Sequence, residues 1–166
     1  AVFLCASAVT GRSIRVAPLD PGDPQGDRAI LEILGRTGSV FSWENDTLCF
    51  RGALERGLEA DLAECPDLGP VLAAVAALAP GPSLLRGLET LPHKECDRLE
   101  ASVDLVHWFG GRAEIVEGSA LAIQSGHPAA QRPPFDPRND HRMAFAAAVG
   151  ALRFPGELRD PGCVAK

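Results

Sequence analysis

The chain has 166 residues, enough for one ordinary domain with its own core, and 46% of them are apolar, which excludes a disordered polymer. Its 16 Lys and Arg stand against 22 Asp and Glu, a net charge of −6, so binding by broad phosphate neutralisation is excluded and no nucleic-acid partner is expected. No apolar run reaches the ~20 residues of a membrane-spanning helix, so no membrane partner is expected either.

The chain opens on AVFLCASAVTG, which has no charged region ahead of it and no initiator Met. It reads as a helix cut mid-element rather than a signal peptide, and with the strand-like run before Lys166 it leads us to expect a fragment at both ends. A helix is predicted over 3–9, closed by Gly11, then a strand over 13–19. Asp27-Arg28 open an amphipathic helix over 28–34 that ends by Gly38. Strands over 39–43 and 47–50 flank the hairpin residues Glu44-Asn45-Asp46. A further strand is expected over 58–63.

The pattern then recurs. An all-apolar helix over 71–78 is followed by Gly81 and a strand over 83–88. Asp97-Arg98 open an amphipathic helix over 98–109, with Leu99, Val103 and Val106 on one face and Gly110-Gly111 at its end. Strands over 113–116 and 120–124 flank Glu117-Gly118-Ser119. A third copy begins with a helix over 143–152, Gly156 and a strand over 157–159. The copies are spaced by ~70 residues, too long for a solenoid unit and right for a small α/β subdomain. The fold class expected is mixed α/β (α+β), with repeat units roughly 1–56 and 57–166. Helices 71–79 and 144–152 are apolar on every side, which predicts helices buried all round, with strands and amphipathic helices outside.

Five cysteines (Cys5, Cys49, Cys65, Cys96 and Cys163) form no C-x-x-C pair and are odd in number. That argues against a disulfide framework or a zinc site and suits a reducing compartment. No Gly-rich phosphate loop occurs.

Two charged clusters break the apolar background, each where a helix should begin. In Lys94-Glu95-Cys96-Asp97-Arg98, the bland reading is a solvated first turn with Asp97 near the positive end of the helix dipole. The functional reading is a Lys-Glu proton-transfer pair beside an Arg that forks onto an anion. In Asp140-His141-Arg142-Met143-Ala144, His141 alone reads as a capping or core histidine. Arg142 precedes a fully apolar helix, where it needs an anion to meet. Cys65-Pro66-Asp67-Leu68 begins another apolar helix, and Pro and Asp suit that place with or without a catalytic role. Lys166 reads equally as a plain tail lysine.

Pro66-Asp67, Lys94-Glu95-x-Asp97-Arg98, Asp140-His141-Arg142-Met143-Ala144 and Asp160-Pro161-x-Cys163-Val164-x-Lys166 follow one another in this order. In this the chain resembles the 3-phosphoshikimate 1-carboxyvinyltransferase (EPSP synthase) family along essentially its whole length. The resemblance implies the enolpyruvyl transferase fold, built from βαβαββ subdomains with buried apolar helices and outer sheets, of which this chain is part of the C-terminal domain. It implies transfer of the enolpyruvyl group of phosphoenolpyruvate to the 5-hydroxyl of shikimate 3-phosphate, with release of phosphate, in the shikimate pathway of aromatic amino-acid biosynthesis. By position, Glu95 is the acid that protonates the methylene carbon and Asp67 the base for the attacking hydroxyl. Lys94 shares proton work, and with Asp67 contacts shikimate 3-phosphate. Arg98, Arg142 and Lys166 hold phosphoenolpyruvate, and His141 supports them. No cofactor and no metal is implied.

The implied partners are the two substrates and the N-terminal domain of the same enzyme, a monomer at full length and cytoplasmic. The chain alone, lacking the rest of the site, is expected to be inactive. Cys96 stands where Ser or Thr is usual and adds an oxidisable thiol beside the acid. Pro92 stands where an Arg is usual, Thr90 where some members have a substrate-binding Asn, and Trp108-Phe109 is bulkier than the usual helix end. Two alternatives stay open: enolpyruvyl transfer to UDP-N-acetylglucosamine, and a catalytically silent anion-binding domain of the same fold.

Overall fold

The computed structural model describes residues 1–165. α1 (Val2–Thr10) runs into β1 (Ser13–Val16), and α2 (Ile30–Arg36) runs into the hairpin of β2 (Gly38–Glu44) and β3 (Thr47–Leu54). These strands form an antiparallel sheet in the order β1-β3-β2. Asn45 closes the hairpin at φ 56°, a left-handed conformation that Asn tolerates better than most residues.

The second sheet holds β4 (Glu59–Asp61), β5 (Pro82–Arg86), β6 (Arg112–Val116) and β7 (Ala120–Gln124), in the order β4-β5-β7-β6. β4 and β5 are parallel, as a helical crossover requires, and α3 (Gly69–Leu78) is that crossover. The other pairings are antiparallel.

α3 is the centre of the molecule. All ten of its residues are buried. Its alanines, Ala73, Ala74, Ala76 and Ala77, keep it slim, and α1, α4 (Arg98–Trp108) and α5 (His141–Ala151) all pack on it. Close packing continues at Gly150 of α5, where an added Cβ would lie 2.2 Å from Cζ of the fully buried Phe109.

Six expectations are corrected. α5 is not buried all round: Phe145 is 41% and Leu152, just past its end, 58% exposed, because α1, α3 and α4 leave one side of α5 uncovered. Gly81 does not close α3. The chain leaves the helix at Ala79, which is extended because Pro80 disfavours helical geometry in the residue before it. The expected strand at 157–159 reduces to one bridge between Phe135 and Leu158, since prolines 133, 134 and 137 flank its only partner and lack ladder donors. The helix expected over 28–34 starts as a tight 3-10 turn, Gly26–Ala29, and becomes α-helical only from Ile30. Strand 13–19 stops at Val16, before the donor-less Pro18, and strand 58–63 keeps three residues.

Candidate functional site

Three helix starts meet at one place. The 3-10 turn Pro66–Leu68 carries Asp67 and runs straight into α3. Lys94 and Glu95 lie between the 3-10 turn Leu91–His93 and α4, whose first residue is Arg98. Asp140 precedes α5, and Arg142 lies in its first turn. Each start has its own local cause. Asp97 caps α4 by accepting from the backbone N–H groups of Leu99 at 3.1 Å and Glu100 at 3.0 Å. Asp140 caps α5 by accepting from the N–H of Arg142 at 2.8 Å. The positive ends of three helix dipoles therefore face one group of side chains.

Arg98 is the hub. Its side chain is 1% exposed, and four of its five N–H groups go to carboxylates. Nε and Nη2 grip Asp140 at 2.7 and 3.3 Å, Nη1 donates to Asp67 at 2.9 Å, and Nη2 also donates to Glu95. Burial works against this charge, but the bonds to Asp140 outweigh it and hold the guanidinium above its ordinary value. Asp140 is wholly buried. Burial works against its charge too, and the bonds from Arg98 and the Arg142 N–H outweigh that and hold the carboxyl below the usual range. Both partners stay ionised, which is what a buried pair requires.

Asp67 gathers the remaining cations. Besides Arg98, it meets Lys94 Nζ at 3.3 Å and Arg142 Nη2 at 3.0 Å. Arg142 Nη1 also reaches the Asp67 carbonyl at 3.4 Å. Asp67, Lys94 and Arg142 are each about one third exposed and Glu95 about half, so the hub opens to solvent through these four. A broad hollow of about 970 Å³ between α1 and Leu152 shares no residue with this cluster and offers no carboxylate, histidine or cysteine.

The structure thus brings Asp67, Lys94, Glu95, Arg98 and Arg142 into one connected group. His141 stands at its margin, half-buried, with Nδ1 4.0 Å from Asp140. Lys166 lies outside the described residues. Cys96 donates its thiol to Asp140 at 3.7 Å. Burial and then the Asp140 charge push that thiol up to about 11, so it is held protonated rather than poised for oxidation. Pro92 sits early in its 3-10 turn, where a missing N–H costs little. Trp108 meets Phe109 edge-on at 4.8 Å and carries the Arg132 guanidinium 4.0 Å above its ring, which gives the bulky helix end its packing.

Sequence reasoning gave Asp140 no role beyond its motif, yet this residue joins the two clusters. Its cap function has a local signal, an Asp just before an apolar helix. Its pairing with Arg98, 42 positions away, has none.

The whole chain, residues 1–166, matches the family EPSP synthase (3-phosphoshikimate 1-carboxyvinyltransferase). The 3-phosphoshikimate 1-carboxyvinyltransferase of Syntrophobacter fumaroxidans is 40% identical over 97% of this chain and 38% of its own length. That of Methanoculleus marisnigri is 36% identical over 99% of this chain and 39% of its own length. The chain therefore spans about two fifths of the length of these curated relatives. Among solved structures, EPSP synthase from Acinetobacter baumannii superposes with a TM-score of 0.78 at 22% identity, over 99% of this chain and 41% of that one. The enolpyruvyl transferase NikO from Streptomyces tendae gives 0.61 at 23% identity, over 99% and 38%. At such identities the likeness is one of fold, and it matches the mixed helix-and-sheet architecture described above. The family match covers every residue of the chain, and by it this chain belongs to the EPSP synthase family.

Proposed function

We propose that this chain contributes part of an active site that moves the enolpyruvyl group of phosphoenolpyruvate onto the 5-hydroxyl of shikimate 3-phosphate and releases phosphate. The observation that carries this reading is the meeting of two partly exposed carboxylates, Asp67 and Glu95, with Lys94, Arg98 and Arg142 at three helix starts. The reaction needs an acid for the methylene carbon, a base for the hydroxyl proton, and cations where charge shifts between carboxylate and phosphate. Glu95 supplies the acid and Asp67 the base. Lys94 shares the proton and meets shikimate 3-phosphate with Asp67. Arg142 offers an open guanidinium to phosphoenolpyruvate, Arg98 its one remaining N–H, and Lys166 completes that set. His141 supports them from the margin.

The same reading makes the chain two repeat units, roughly 1–56 and 57–166, of a C-terminal domain. An N-terminal domain supplies the other wall of the site, and the enzyme works as a cytoplasmic monomer. The test uses a polypeptide of the relatives' length that carries this chain. It should turn over both substrates, and Glu95→Gln or Arg142→Ala should lose at least about a hundredfold in kcat/KM. Unchanged turnover in either variant would overturn the role assigned. UDP-N-acetylglucosamine offered as acceptor in the same assay separates the two transfer readings.

A further inference from the structure

We propose that Asp67 has a second role, resting on the reading above: its carboxylate occupies the cation set in place of a ligand and so selects for anions able to displace it. Three cations converge on this one side chain, Arg98 at 2.9 Å, Arg142 at 3.0 Å and Lys94 at 3.3 Å. No other carboxylate of the cluster is held by more than one of Lys94, Arg98 and Arg142 through their side chains. Arg98 is fixed, because Asp140 grips it within the core. Lys94 and Arg142 are about one third exposed and so reach solvent. Both of these solvent-reaching cations are bound to the Asp67 carboxylate.

The charge balance decides what displaces it. Among the described residues, the three cations face three carboxylates, Asp67, Glu95 and Asp140. Among these six side chains no positive charge is left over to attract a simple monoanion. A free carboxylate would trade one for one with Asp67, and Asp67 has the advantage of being tethered at high effective concentration. A small ligand with more than one negative charge escapes that limit. It meets Lys94 and Arg142 together, gains two charge-assisted contacts, and releases Asp67 as it enters. Selection against weak anions and release of the carboxylate are thus one event. Asp67 is a specificity residue by this account as well as a proton acceptor.

The test compares wild type with Asp67→Asn in the polypeptide of the relatives' length, by calorimetric titration with inorganic phosphate and then with acetate. Asn keeps the shape and removes the competing charge. Phosphate should bind at least about tenfold more tightly to the variant. The preference for phosphate over acetate should narrow. In steady state, KM for phosphoenolpyruvate should fall while kcat falls, a split that loss of a purely structural residue does not produce. Should Asp67→Asn unfold, as judged by its thermal melt, Asp67→Ser carries the same charge change. Phosphate affinity equal to or below that of wild type, including no binding by either protein, overturns the proposal. Failure of the transfer reading looks different: a wild-type protein with no turnover whose affinity ratio still holds.

Discussion

Cys96 and Arg98 share one carboxylate, and this makes the thiol a reporter on the hub. The Cys96 thiol donates to Asp140 Oδ2, the oxygen that also accepts from Arg98 Nε. Burial is the larger cause of its raised pKa of about 11, and the Asp140 charge is the next. Replacing Asp140 with Asn keeps an oxygen for the cap of α5 but removes that charge. The thiol should then titrate lower, and its alkylation by iodoacetamide between about pH 8 and 10 should speed up several-fold. The half-buried Cys49 is best replaced by Ser for this measurement, since it is the other cysteine that is not fully buried. An unchanged pH profile in Asp140→Asn would mean that burial alone sets the thiol.

At the scale of elements, the site depends on how closely α3, α4 and α5 pack. The Phe109 ring, at the end of α4, fills the space over Gly150 of α5. Gly150→Ala places a methyl 2.2 Å from Cζ of a ring that is itself enclosed. We expect a loss of about 1–3 kcal/mol by urea denaturation, despite the better helix propensity of Ala. A gain would show that α5 slides freely on α4. These helices were legible in the sequence because their signals are local: an unbroken apolar run for α3, and the charged clusters that open α4 and α5. Both hairpins were legible for the same reason, their turn residues standing between alternating strands. The strand at 157–159 was not, because pairing depends on a partner and the prolines around Phe135 belong to another segment. The family motifs pointed to Asp67, Lys94, Glu95, Arg98 and Arg142, but not to which carboxylate each cation meets. Arg98 meets Asp67 31 positions away and Asp140 42 positions away, distances over which no periodicity speaks.

For the molecule as a whole, the buried Arg98–Asp140 pair ties acid stability to the candidate site. Asp140 is held below the usual carboxylate range in the folded chain, with burial opposed and outweighed by Arg98 and the Arg142 N–H. Its stabilisation is therefore complete above the unfolded value near 4 and is lost as pH falls through the lower folded value. Protonated Asp140 no longer balances Arg98, and a guanidinium that loses its buried partner opposes folding. Among the described residues two other carboxylates are lowered, Glu44 beside Arg15 and Glu89 beside a backbone N–H and the Ser119 hydroxyl. Both lie on the surface, where solvent screens such pairs and little stability follows. The urea midpoint should accordingly stay level from about pH 7 to 5 and drop below about pH 4. Asp140→Asn should start from a lower plateau, because Arg98 has lost the one ion partner that is wholly buried with it. Its midpoint should then fall less steeply with acid, because the group whose protonation drives the drop is gone. Parallel curves for the two proteins, measured by urea unfolding across that pH series, would move the acid sensitivity away from the Arg98–Asp140 pair.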